Sequence, residues 1–222
     1  MRLHLFLLIV TTVVTKSAQG ADVQMWNEVD LAASLTSRIN LTIPLVVRNS
    51  FNLANPQLYG AGAIGDVAVS KYLTISGGYL FVGIPHIGPG YNVNLPLAAV
   101  TLHHHIGRFR VGDRNRWEQL RGLPGSPVRY RNKLIVDLPL ASGRWTPFIS
   151  NEIFWDDSQS AWTQNRFEVG VGRQLTSRLK LDSYFIERTD LQHSANDVHA
   201  IGLALEIHLG QLGKKEAQHG AN

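Results

Sequence analysis

Charged side chains recur at alternate positions along several stretches of the chain, and they are the residues with the clearest chemical potential. Arg129, Arg131 and Lys133 are one such row. Side chains two residues apart in a β-strand point to the same face. We therefore predict one ionic face across the strands, formed by Glu28, Asp30, Arg108, Arg110, Arg114, Arg116, Arg129, Arg131, Lys133, Glu152, Arg166, Glu168, Lys180, Asp182 and Glu206.

Such a face has two chemical uses if the strands enclose it. Opposite charges that are removed from water must pair with one another, because a lone buried ion is very costly. The first possibility is therefore a salt-bridge network that fills the interior. The second is a conduit in which neighbouring arginine rows attract a small anionic solute.

Catalytic and metal-binding patterns are weak in this sequence. In a strand, His103 and His105 share a face and His104 points away, so at most two of the three could bind one ion. No nucleophile elbow, zinc-protease helix or phosphate loop is present. We predict no catalytic, cofactor-binding or metal-binding residues and no cofactor. Glu152 and Asp156 with His193 are the best candidates if the protein is an enzyme.

The first twenty residues have the features of a secretory signal peptide. Arg2 gives a positive start, residues 5–14 are apolar, and Ala18 and Gly20 are small residues near a cleavage point. Removal of residues 1–20 leaves 19 basic and 17 acidic side chains, which gives no reason to expect a nucleic-acid partner. We predict a signal peptide at 1–20, a barrel at 21–210 and a polar tail at 211–222.

The chain after the predicted signal peptide has the pattern of a succession of β-strands. Apolar and polar residues alternate over segments of about ten residues, and turn-forming residues separate them. The predicted strands are 23–34, 38–48, 58–70, 73–83, 94–105, 108–120, 128–138, 144–155, 165–174, 178–188 and 198–209. Short and long connections alternate between them, with the stretch 156–164 taken as a long loop. This is typical of an all-β, antiparallel up-and-down transmembrane barrel with short periplasmic turns and longer extracellular loops.

Strand length and aromatic placement favour a membrane barrel with its ionic face inward. About 9–11 residues per strand suits a tilted bilayer span, whereas ordinary strands average nearer 5–6. Trp145 and Trp155 lie on the same face of one segment, roughly 23 Å apart along the membrane normal, as two interfacial aromatic girdles would be. Eleven strands leave the chain ends at opposite rims, while bacterial barrels usually have even counts, so we expect about 10–12 strands.

Several sequence blocks also resemble a known bacterial family. They are Arg-Tyr-Arg-Asn-Lys at 129–133, Ser-Asn-Glu-Ile-Phe-Trp at 150–155 and the ten residues from Gln164 to Arg173. Trp-Asn-Glu-Val-Asp-Leu at 26–31 is similar to the opening strand of the same family. This family is domain of unknown function 2490. The resemblance implies an exported β-barrel of the bacterial outer membrane and brings no established activity.

The sequence favours a small, non-enzymatic outer-membrane barrel that is either structural or a narrow channel with a charged lumen. Its expected partners are outer-membrane lipid and lipopolysaccharide, the barrel-assembly machinery and a small anionic solute. An outer-membrane hydrolase or lipid-modifying enzyme with carboxylates at its rim is one alternative. A soluble periplasmic barrel that binds an apolar ligand is the other.

Overall fold

The structure is a computed structural model, and it describes residues 22–50, 56–85, 91–141, 143–193 and 197–211. The predicted signal peptide and most of the predicted tail lie outside these ranges. Within the described ranges, no helix has the length and apolar character needed to cross a membrane.

Each of the eleven predicted segments forms a strand, with bounds that differ by no more than four residues from prediction. The strands are β1 Asp22–Ser34, β2 Ile39–Ser50, β3 Pro56–Ser70, β4 Leu73–Gly83, β5 Asn92–Ile106, β6 Phe109–Gln119, β7 Val128–Asp137, β8 Trp145–Asp156, β9 Ala161–Gln174, β10 Leu179–Asp190 and β11 Val198–Gln211. Gln211, predicted to begin the tail, is the last residue of β11.

The strands form one closed barrel, in which sequence neighbours are antiparallel and β1 pairs with β11 to complete the ring. The β1–β11 pair is parallel and begins at Asp22 opposite Val198. An odd number of strands requires this arrangement, because the first and last strands then run in the same direction. The prediction of a closed all-β barrel is confirmed, and the count is eleven.

Short connections at one rim alternate with longer ones at the other, with two exceptions, residues 138–144 between β7 and β8 and residues 157–160 between β8 and β9. Two-residue turns occur at Lys71–Tyr72 and Gly107–Arg108, and the latter uses the positive φ of Gly107, 59°, which a glycine adopts without strain. The predicted long loop at 156–164 is wrong. β8 and β9 extend toward each other, and only residues 157–160 connect them. We call the two ends of the barrel the short-turn rim and the long-loop rim.

The apolar face of the strands points outward. Leu102, Ile149, Ile201 and Leu203 are each more than two-fifths exposed, whereas Glu118 is almost fully buried. Strands of a closed sheet have only two faces, so the ionic face is the interior. This is the orientation that the sequence predicts.

Glycines make room for large side chains inside the barrel. A Cβ atom built on Gly202 would overlap the ring of Tyr184, and one built on Gly170 would meet Tyr184 and Phe148. Tyr184 also packs against a buried apolar cluster of Trp26, Ile186, Val198 and Ala200. Gly202 therefore lets the β10 tyrosine lie flat against β11.

Replacement of Gly202 by alanine tests this packing. We expect Gly202→Ala to lower the free energy of unfolding by about 1–3 kcal/mol, because the new methyl group forces Tyr184 from its position. Gly77→Ala is the matched control, since nothing lies within 4 Å of the Cβ position there. Urea-induced unfolding of the two variants measures the difference, and equal stability would contradict the packing argument.

Candidate functional site

Glu118 is the first of two carboxylates that organise the interior, and it forms ion pairs with three arginines. Its side chain is 1% exposed. Arg116 lies 2.7 Å from it, Arg131 donates from Nη1 at 2.8 Å, and Arg129 donates from Nε at 2.9 Å. Ionic hydrogen bonds of this kind are stronger than neutral ones. They allow the carboxylate to stay charged out of water.

Glu152 on β8 is the second carboxylate, and it also binds three arginines. Arg131 donates from Nη2 at 2.9 Å, Arg114 from Nη2 at 3.0 Å and Arg166 from Nη1 at 3.3 Å. Arg131 therefore bridges the two carboxylates. We call the set of Glu118, Glu152 and these five arginines, Arg114, Arg116, Arg129, Arg131 and Arg166, the basic wall.

The basic wall carries more positive than negative charge. Five guanidinium groups share two carboxylates, an excess of three positive charges. Lys133 does not add to this excess, because it is paired with Glu168 at 2.9 Å. Such a cluster is stable only if solvent or an anion compensates the remaining charge.

Arg48 adds a further cation beside the basic wall. Its guanidinium lies over the Trp26 ring, 3.7 Å from the centroid, and Arg166 approaches the same ring at 4.8 Å. Trp26 is 4% exposed, and its Nε1 donates to Gln24 at 2.8 Å. Among the described residues, no carboxylate lies within ion-pair distance of Arg48. Neither Arg48 nor Trp26 belongs to the predicted ionic set, although their positions on the predicted strands place them on the same face.

A second part of the interior is aliphatic, a feature absent from the predicted interior. Val93, Leu95 and Leu120 are buried together. Leu80, Val82 and Ile84 pack against them from β4 and its end. We call these six residues the aliphatic wall, and it adjoins the basic wall around the ring of strands.

The two walls line one cavity of about 850 Å³. On β10 its lining runs from Asp182 to Asp190, which is most of the strand. Ligand cavities in proteins are commonly about 300–1,000 Å³. The interior therefore has room for a small ligand with both polar and apolar parts.

The remaining predicted ionic residues separate into smaller groups. Asp30 lies opposite Glu206 in the β1–β11 register, and His208 Nε2 lies 2.9 Å from Glu206 Oε1. Lys180 pairs with Asp182 at 2.8 Å, and Arg110 pairs with Asp137 at 3.4 Å. Glu28, the last predicted acid, lines the cavity. Most of the predicted arginines therefore lie on β6–β9, whereas the predicted acids are divided between those strands and β1, β10 and β11.

Two features of the predicted ionic face need correction. Arg108 does not face the interior, because it lies in the exposed β5–β6 turn. The ion pairs of the basic wall join residues of one strand or of strands one or two apart within β6–β9, whereas the predicted salt-bridge network would fill the interior. This is why the pairing leaves a cavity.

The outer surface has aromatic residues at both rims. Trp145, at the short-turn end of β8, is 40% exposed and lies under Arg173 at 4.8 Å. Trp155 is half-buried, pairs with Trp162 in the β8–β9 register and lies near the long-loop rim. The Tyr130 ring packs at a tilt against Trp117, with ring centroids 5.5 Å apart, and edge-to-face against Trp162, with centroids 6.3 Å apart. These three aromatic residues of the same rim were not predicted.

The carboxylates of the enzyme alternative do not form one site. Asp156 and His193 line a small rim cavity of about 130 Å³, while Glu152 is buried within the basic wall. Asp156 accepts hydrogen bonds from the backbone and hydroxyl of Ser158, at 3.0 and 2.6 Å. The three residues therefore lie in two separate environments.

His103, His104 and His105 are exposed, and His103 Nε2 lies 3.0 Å from the Thr74 hydroxyl. In the part of the chain that the structure describes, no three His, Asp or Glu side chains are placed to hold a metal ion.

The fold and interior define a class of protein: a closed eleven-strand barrel with an apolar exterior and an ionic interior cavity. Residues 23–199 match the family described as protein of unknown function, DUF2490. The match covers well over half of the chain, which therefore belongs to this family. A comparison with curated proteins found no match.

Removal of one of the buried carboxylates tests the basic wall. We expect Glu118→Gln and Glu152→Gln each to lower the free energy of unfolding by about 3–5 kcal/mol, because three arginines lose their shared counterion. Glu206→Gln is the control, since Glu206 has one ion-pair partner within the described ranges and its side chain is 36% exposed. Urea-induced unfolding measures all three variants. Losses of equal size would contradict the special role of Glu118 and Glu152.

Proposed function

We propose that the protein is a bacterial outer-membrane β-barrel whose basic interior receives a small anionic solute. The observation that carries this proposal is the orientation of the strands, with large aliphatic side chains outward and paired ions inward. A water-soluble barrel gains nothing from an apolar exterior, whereas a bilayer requires one. The predicted signal peptide supports the same destination.

The aromatic residues at the two rims support the membrane location independently. Tryptophan and tyrosine concentrate at membrane interfaces, where an apolar ring and a polar atom can both be accommodated. The outward cluster of Trp117, Tyr130 and Trp162 belongs to the long-loop rim, and Trp145 belongs to the short-turn rim. Outer-membrane lipid and lipopolysaccharide would contact this surface, and the barrel-assembly machinery would insert it.

The charge of the basic wall supports an anionic solute. The excess of three positive charges faces the cavity, because Glu118 and Glu152 are 1% and 2% exposed while Arg114 and Arg129 are 34% and 26% exposed. Guanidinium groups therefore form the accessible layer. Their planar donor pairs match carboxylate and phosphate groups.

The two alternatives have less support. A soluble carrier would need its apolar face inward, and most of that face is outward. An enzyme of the rim would need a nucleophile within hydrogen-bond reach of a base. Asp156 and His193 share the rim cavity, but no hydrogen bond between their side chains is present.

An arginine placed in the middle of the outer surface tests the membrane location. Ile149 is 49% exposed at the centre of β8, with Val136 and Val169 as its strand neighbours. In a bilayer we expect Ile149→Arg to cost about 2–4 kcal/mol. Folding titrations of the purified protein into phosphatidylcholine vesicles measure this cost.

Leu209→Arg is the matched control for this experiment. Leu209 is 53% exposed near the short-turn end of β11, where an arginine should cost about 0–1 kcal/mol in a membrane barrel. In a soluble barrel both variants would be close to neutral. Equal and small effects, together with release of the protein from washed membranes by carbonate, would overturn the location.

A narrow anion conduit is a second candidate, favoured by the length of wall that lines the cavity. If solute passes through, planar-bilayer currents in a potassium chloride gradient should show a preference for chloride. We expect Arg114→Gln to reduce this preference and Arg108→Gln, in the exposed turn, to leave it unchanged. Absence of current from the wild-type protein would exclude the conduit and leave a binding interior.

A further inference from the structure

The two walls differ in chemistry and line a single cavity, which restricts what can bind there. The basic wall offers guanidinium donors, and the aliphatic wall offers a surface without polar side-chain groups. A free inorganic anion would contact only the first, and a neutral hydrocarbon only the second. Full use of the cavity requires both chemistries in one molecule.

Arg48 supplies the most available cationic contact. Its guanidinium is fixed over Trp26 and has no carboxylate within ion-pair distance among the described residues. Its Nε, like those of Arg114 and Arg166, is buried without a hydrogen-bond acceptor. Arg48 and Arg166, which both lie over Trp26, therefore each keep a buried donor without an acceptor, and an incoming anion would offer acceptor oxygens to these guanidinium groups.

The aliphatic wall is a second, independent observation. Val93 and Leu95 are 3% and 5% exposed inside the barrel, although the other large aliphatic residues of most strands point outward. An interior that served only as a salt-bridge network would have no need of this patch. Contact with an alkyl chain removes apolar surface from water, which is worth about 0.8 kcal/mol for each buried CH₂ group.

We infer that the cavity binds an amphiphilic anion, namely an alkyl or acyl chain that carries one carboxylate or phosphate group. The head group would lie against Arg48 and the basic wall, and the chain would lie along Leu80, Val82 and Leu95. This inference rests on the proposed function, since it specifies the class of solute that the interior receives. Glu28, which also lines the cavity, would disfavour a second acidic group on the ligand.

Equilibrium binding to the mature protein in phosphatidylcholine nanodiscs tests the inference, with empty nanodiscs subtracted. The probes are dodecanoate, dodecyl phosphate, dodecanol and inorganic phosphate. We expect saturable binding of one or both amphiphilic anions, at one molecule per barrel. The tighter of the two identifies the head group. Dodecanol binding with the same affinity would overturn the anionic part, and inorganic phosphate binding with the same affinity would overturn the alkyl part.

Variants of Arg48 locate the bound head group. We expect Arg48→Gln to weaken binding about tenfold or more, because a hydrogen-bonded charge is lost. Arg48→Lys should retain part of the affinity, since lysine keeps the positive charge but lacks the paired donors of the planar guanidinium group. Arg108→Gln is the control and should bind as the wild type does. Equal binding by all four proteins, or no saturable binding by the wild type, would overturn the inference.

The fold of each variant is checked by the retention of a faster-migrating folded form in unheated SDS electrophoresis. Because Arg48 forms no ion pair with a described residue, its substitution should not prevent folding. The result is also separable from the membrane location. If the Ile149→Arg experiment supports a membrane location but no amphiphilic anion binds, the membrane location stands and only the proposed ligand is wrong.

Discussion

The interior of this barrel depends on two carboxylates that are each shared by three arginines. Glu118 and Glu152 lie on different strands, and Arg131 between them contacts both. Five guanidinium groups on β6, β7 and β9 are thereby held in positions that their mutual repulsion would otherwise forbid. Because the pairs run along the wall, the centre of the barrel stays open. The cavity and its positive charge are both consequences of this arrangement.

Much of the fold was predictable from the sequence because a strand has a repeat of two. Alternation along Val198–Gln211 separates Ile201 and Leu203 from Gly202 and Ala204, and the structure places these pairs on opposite faces. Even β3, which is rich in glycine and alanine, follows the same rule. Inward and outward faces could be assigned because strand length and aromatic spacing favoured a bilayer outside.

The pairing of the ions could not be predicted in the same way. Which arginine meets which carboxylate depends on the register between strands, and register follows from turn geometry and barrel shear. Arg108 is an example. The predicted strand begins at residue 108 and β6 begins at Phe109, so Arg108 lies in a turn and not on the interior face. The aliphatic wall was missed for a related reason. Leu80, Val82 and Leu95 follow the same alternation as the ionic face, but only the closed ring shows that they are neighbours inside.

The parallel pairing of β1 with β11 gives the barrel a seam. Parallel ladders have slanted hydrogen bonds and are slightly less stable per residue than antiparallel ones. The register of this pair also shifts between Ala32 and Ser34, toward the short-turn rim. Toward the other end, Trp26 packs with Val198 and Ala200 across the seam. Side-chain packing therefore holds β1 and β11 together near the long-loop rim, while their register is irregular near the short-turn rim. A transient separation of the two strands would start from the short-turn side.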